Sequence, residues 1–125
     1  MKRYDRDGLS FPYPDGWRVE EEDSPDGWTV TVQSPSTAFA VVRLDQSLPE
    51  PEQMMEAAME AMRAEYRDLE VEPALETVAG EVATGNDIEF LSLDVPTTCL
   101  LRSFHGQAGT VLVLCQVSDM DREEN

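Results

Sequence analysis

Along most of the chain apolar and polar residues alternate with a period of two, and only one stretch switches to the period of a helix. Between Pro51 and Arg67, Met55, Ala58, Met59, Met62 and Tyr66 recur at spacings of three and four. They therefore stack on one face, while Glu52, Glu56, Glu60 and Arg63 face water. Ser47 or Glu50 suits the helix start, Pro51 the first helical position, and the acidic residues at 50, 52 and 56 complement the dipole. A helix this short is marginal alone in water, and burying each of its larger apolar side chains contributes roughly 1.5–3 kcal/mol. The stripe therefore predicts a sheet beneath it.

Strands are legible from alternation and turn chemistry. A short strand is expected near Leu9–Phe11, ahead of the turn Pro14-Asp15-Gly16, and another opens at Trp17 with Val19 on the same face. Ser24-Pro25-Asp26-Gly27 closes a hairpin whose second strand, residues 28–33, sets Trp28, Val30 and Val32 against Thr29, Thr31 and Gln33. Residues 38–44 are apolar on both faces up to Arg43, as in a strand nearer the sheet centre. After the helix, Leu69, Val71 and Leu75 alternate with acidic residues around Pro73, which predicts an edge strand continued by residues 78–83. Thr84-Gly85-Asn86-Asp87 reads as a bulge or turn, and residues 88–95 as a strand ending at Pro96. Residues 99–104 and 110–117 flank His105-Gly106-Gln107-Ala108-Gly109, and the run Val111–Cys115, apolar on both faces, predicts the central strand. Strands, one helix, then strands again predict a single α+β domain over residues 1–125. Its twisted, mainly antiparallel sheet has about six or seven strands, with helix 51–67 on one face.

Charge narrows the partners. Acidic residues number 26 and basic ones 9, a net charge of −17. A nucleic-acid backbone and an anionic lipid surface are both repelled, which leaves a cationic partner or plain solubility. No apolar run approaches the roughly 20 residues of a membrane span, and MKRYDRDG has no apolar signal core, so a cytoplasmic chain is expected if Met1 is the natural start. Cys99 and Cys115 make neither a disulfide framework nor a zinc pattern. A hairpin centred near Gln107 would set them opposite one another, with Cβ atoms about 4.5–5.5 Å apart, as reduced core residues.

Tyr4, Gly8-Leu9-Ser10-Phe11, Pro12 and Trp17 resemble the opening of the PsbP-like superfamily, and Gly80-Glu81-Val82-Ala83, entering the strand that carries Asp87 and Phe90, is similar too. That superfamily includes oxygen-evolving-complex proteins of photosystem II, Ran-binding Mog proteins, DcrB-like proteins and Eag-type chaperones, none known chiefly as an enzyme. The resemblance implies a PsbP-like domain serving as a binding or adaptor module. It also implies a closing helix whose first turn would be Asp121–Asn125, so the chain is expected to lack the rest of it.

The candidate chemistry is sparse. His105 is the only histidine, and six residues of strand separate it from Cys99 by roughly 20 Å, so a turn residue is expected and no thiol–imidazole pair. Asp119, Asp121, Glu123 and Glu124 lack the turn glycine and bidentate glutamate of a calcium loop, and Asp5 and Asp7 read as solvated charges. No catalytic residue, cofactor or metal is predicted. The expected function is non-catalytic binding of a basic or apolar protein, without nucleic acid or membrane, through Glu20, Glu21, Glu22 and Asp23 on the first hairpin and Met54 on the helix flank. The alternative is a small-ligand-binding domain or small enzyme with a pocket between the helix and Phe11, Tyr13, Trp17 and Trp28.

Overall fold

A computed structural model describes residues 1–78, 80–92 and 94–118 of the chain. Its elements are β1 (Lys2–Arg6), β2 (Leu9–Tyr13), β3 (Arg18–Ser24), β4 (Gly27–Gln33), β5 (Phe39–Asp45), α1 (Pro51–Glu65), β6 (Glu70–Val78), β7 (Glu81–Ser92), β8 (Val95–His105) and β9 (Thr110–Ser118). β1 and β2 form a separate two-stranded sheet. The other seven strands make one antiparallel sheet in the order β3-β4-β5-β9-β8-β7-β6, so the doubly apolar strand β9 is its centre. This is the expected α+β architecture. Among the described residues no helix is long and apolar enough to cross a membrane.

Directly opposed residues share a face, so the register sorts every side chain. On one face Ile88, Cys99 and Leu101, with Leu112 and Leu114 of β9, lie beneath the α1 stripe of Met55, Met59 and Met62, and Tyr66 stacks on Phe90 with ring centroids 4.3 Å apart. On the other, Trp28, Leu44, Val111, Phe104 and Ala83 form a second core that Tyr4, Leu9 and Phe11 of the β1–β2 hairpin cover. α1 begins where expected: Glu50 is the N-cap, its N–H donates to Gln53 Oε1 at 3.0 Å, and Pro51 follows. The helix ends at Glu65 rather than Arg67, because Tyr66 is already extended and turns its ring onto Phe90.

The structure corrects the strand reading at four places. β1 was not expected, although Asp7-Gly8 at φ 50° and 83° is a two-residue hairpin turn joining Arg6 to Leu9. Residues 78–83 do not continue one strand: Val78 pairs with Glu81 across a turn in which Gly80 takes φ 83°. β7 then runs unbroken through Thr84–Asp87. Gly85 is there for close approach rather than for a bulge, since a Cβ would lie 2.2 Å from the Leu101 carbonyl oxygen. Finally the chain reverses at Asp94, φ 65°, so β7 stops at Ser92 and Pro96 lies inside β8. Asp121–Asn125, where the closing helix was expected, and Asp119 lie outside the described residues.

Met59 is 3% exposed, so Met59→Asp should cost at least about 3 kcal/mol, the penalty of a buried unpaired charge, and abolish cooperative thermal unfolding. Gly85→Ala should cost about 1–3 kcal/mol by forcing β7 from β8, read as a lower midpoint in urea.

Candidate functional site

Trp28 anchors the covered half of the sheet. It is 2% exposed, and its indole Nε1–H donates to Asp7 Oδ2 at 2.7 Å, while Arg6 lies 5.0 Å from its ring centroid and Nη2 is 3.0 Å from Asp23 Oδ1. Tyr4 donates to Glu21, and burial followed by that bond pushes its phenol up to about 12. Phe11 packs on this core and Tyr13, at the end of β2, is half-buried. Among the described residues these aromatics and the helix therefore enclose no common pocket. Trp28 points to the hairpin side and α1 lies on the opposite side, because each strand sends alternate residues to opposite faces. Trp17 lies instead in the wall of a cleft with Pro14, Leu100 and Cys115.

The expected acidic patch also divides by parity. Glu21 and Asp23 lie on the hairpin side, where Arg6 and Tyr4 engage them, whereas Glu20 and Glu22 share the other side with Thr31 and Thr29. Glu20 pairs with Arg18 at 3.3 Å. Met54, expected on an exposed flank, is 8% exposed and belongs to the buried face of α1. The four acids and Met54 thus form no common surface.

What the sheet does present is a trough on the half of the hairpin side that β1–β2 leaves uncovered. One lateral row crosses it: Glu72 opposes Asp87, Asp87 opposes Leu100, Leu100 opposes Cys115, and Cys115 opposes Ala40. A cleft of about 540 Å³ at its apolar end is lined by Pro14, Trp17, Ala40, Leu100, Cys115 and Val117 among others. A second, of about 400 Å³, continues from Thr98 and Leu100 to Glu70, Glu72, Asp87 and Glu89. Leu100 is 41% and Leu91 61% exposed, although their strands are interior to the sheet. Arg102 bounds the trough toward the covered core; it pairs with Glu76, and its Nη1 lies 2.8 Å from the buried Oδ1 of Asp87. Burial alone would lower the Arg102 pKa, but the bonds and charges of Asp87 and Glu76 outweigh it and the guanidinium stays charged.

The cysteines fall on opposite faces. Cys99 opposes Gln116 and Leu100 opposes Cys115, because the β8–β9 loop has four residues, 106–109, closed by Gly106 N–H donating to the Gly109 carbonyl at 2.8 Å. The loop is centred half a residue beyond Gln107, and that one-residue change of register undoes the expected Cys99–Cys115 pairing. Cys99 is fully buried under α1, and burial, then the nearby Cys115, pushes its pKa up to about 12; Cys115 is exposed at the trough floor. His105 ends β8 with Nε2 3.7 Å from Glu50 Oε2, remote from both thiols in register. Native protein treated with a maleimide at pH 8 should be modified once, at Cys115, and denatured protein twice; rapid double labelling of native protein would contradict the register.

No family model and no curated protein matches the chain. Among solved structures it is similar to PA94, a protein of unknown function from Pseudomonas aeruginosa, at TM-score 0.53 and 12% identity over 99% of this chain and 87% of that one. It is also similar to LpqN, involved in cell envelope biogenesis of Mycobacterium tuberculosis, at TM-score 0.48 and 13% identity over 90% and 72%. At such identities the likeness to PA94 shows a shared small β-rich fold and leaves function to the site.

Proposed function

We propose that this chain is a non-catalytic protein-binding module of adaptor or chaperone type, which holds its partner against the open half of the sheet. The observation that carries this reading is the half-exposed Leu100 beside Cys115, on β8 and the central strand β9, next to a dense acidic border. In this domain α1 covers one face of these strands and the β1–β2 hairpin part of the other, so apolar side chains left open beside that cover suit a surface completed by another molecule. The resemblance to the PsbP-like superfamily points to the same class. His105, exposed and facing a carboxylate rather than a nucleophile, favours a non-catalytic role. The charge favours a basic or apolar protein over nucleic acid or anionic membrane.

A second reading, binding of a small ligand, moves from the N-terminal aromatics to the other end of the molecule. There a cleft of about 850 Å³ runs from Glu65, Tyr66 and Asp68 to Phe90, Leu91 and Pro96, with the Tyr66–Phe90 stack in its wall.

Affinity capture from the source cell at low and high salt separates the two. A partner protein enriched at low salt and lost at high salt is expected. Finding none, together with a small metabolite retained in native mass spectra of the purified domain, would favour the cleft by Tyr66.

A further inference from the structure

We infer that the trough across β5, β9, β8, β7 and β6 is a docking groove for a basic amphipathic helix of a partner protein. The inference rests on the binding-module reading and specifies its surface and the chemistry of its occupant. Three observations carry it. The first is the shape of the floor. Ala40, Cys115 and Leu100 form one apolar row at right angles to the strands, Val117 opposite Thr98 forms a second row beside it, and Trp17 lines the same cleft. Strands stand about 4.8 Å apart, so the row from β5 to β6 spans about 19 Å, the length of a helix of about 13 residues. A strand could join this sheet only at its edges, whereas a helix can lie across it, as α1 does on the reverse of β7, β8 and β9.

The second observation is charge. Among the described residues Glu70, Glu72 and Glu76 of β6 and Asp87 and Glu89 of β7 share this face, and Arg102 is the one cation beside them, a net of −4 over these six. Glu70 stands directly opposite Glu89 and Glu72 opposite Asp87, pairings that oppose folding. Among the described residues no Lys or Arg forms an ion pair with Glu70, Glu72 or Glu89; the chain has a single lysine, Lys2, on the distant β1. Cations on an incoming helix would relieve this repulsion while its apolar stripe covers Leu100 and Cys115. The third observation excludes a rival: a second copy would bring another −17 and the same carboxylates against this border.

The probe is an 18-residue peptide of leucine and lysine patterned as an amphipathic helix, compared with the same pattern in leucine and glutamate and with a lysine–serine peptide lacking the apolar stripe. Binding of the leucine–lysine peptide should slow maleimide labelling of Cys115 at least tenfold and weaken with salt, and both comparison peptides should bind at least tenfold more weakly. Leu100→Glu discriminates sharply. It adds negative charge, so an association that is electrostatic alone would tighten, whereas docking on the apolar floor should weaken at least tenfold. Glu72→Lys should weaken binding severalfold and Glu56→Lys, the same charge change on the outer face of α1, should not; both sites are exposed, so folding is not at stake. Unchanged Cys115 labelling with bound peptide, or equal losses from Glu72→Lys and Glu56→Lys, would overturn the groove. Equal affinity for the leucine–glutamate peptide would overturn the basic occupant, and a sedimenting dimer with Cys115 already protected would give the trough to a second copy. A salt-sensitive cellular partner whose capture survives Leu100→Glu would sink the groove while leaving the binding-module reading intact.

Discussion

The pairing of β8 with β9 decides the role of nearly every apolar residue in this domain. His105 opposes Thr110, and from that anchor each step along the hairpin assigns one residue to the helix side and the next to the hairpin side. Leu101, Leu112 and Leu114 go beneath α1, Phe104 and Val111 go beneath β1–β2, and Leu100 and Cys115 go to the open trough. Because the side-chain period of a strand is two, a slip of one residue would exchange all of these at once. The register is held by the closed 106–109 loop, by Ser103 Oγ–H donating to the Val111 carbonyl at 2.8 Å, and by burial on both faces near the loop. Gly109 permits a further contact, since a Cβ there would lie 2.5 Å from the Asp45 carbonyl oxygen of β5.

Cover on the two faces is unequal, and the inequality follows from lengths. α1 spans the helix side of three strands, whereas β1 and β2, five residues each, cover only the end of the other face around Trp28, Phe104 and Val111. The hairpin is held by apolar contact from Tyr4, Leu9 and Phe11 together with a polar clasp: Asp7 on the Trp28 indole, Arg6 on Asp23, Tyr4 on Glu21. Glu21 and Asp23 of β3 are thereby engaged with the hairpin, while the carboxylates of β6 and β7 stay largely unneutralised, so the charge on the trough's own face concentrates beside it.

The fold was legible in the sequence wherever a period ran long enough. The stripe Met55–Met59–Met62 found α1, alternation from Trp28 to Gln33 found β4, and the doubly apolar run from Val111 to Cys115 found the centre of the sheet. The misses came from short signals with two physical meanings. Gly85 in a strand signals either a bulge or a close backbone approach, and only the position of Leu101 settles which. Asp7-Gly8 was a hairpin signal hidden among charged residues. The candidate site was hardly legible, because a surface made of Glu72, Asp87, Leu100, Cys115 and Ala40 draws one residue from each of five strands. The aromatics and the acidic run are clusters along the chain only, and strand parity splits both.

The β8–β9 register is open to direct measurement by nuclear Overhauser effects in the isotopically labelled protein. Backbone contacts linking Leu100 to Cys115 and Leu101 to Leu114 are expected, with Met59 side-chain contacts reaching Leu101 and not Leu100. Contacts linking Cys99 to Cys115 instead would mean a register shifted by one residue, would turn Cys115 inward beneath the helix, and would contradict the open trough.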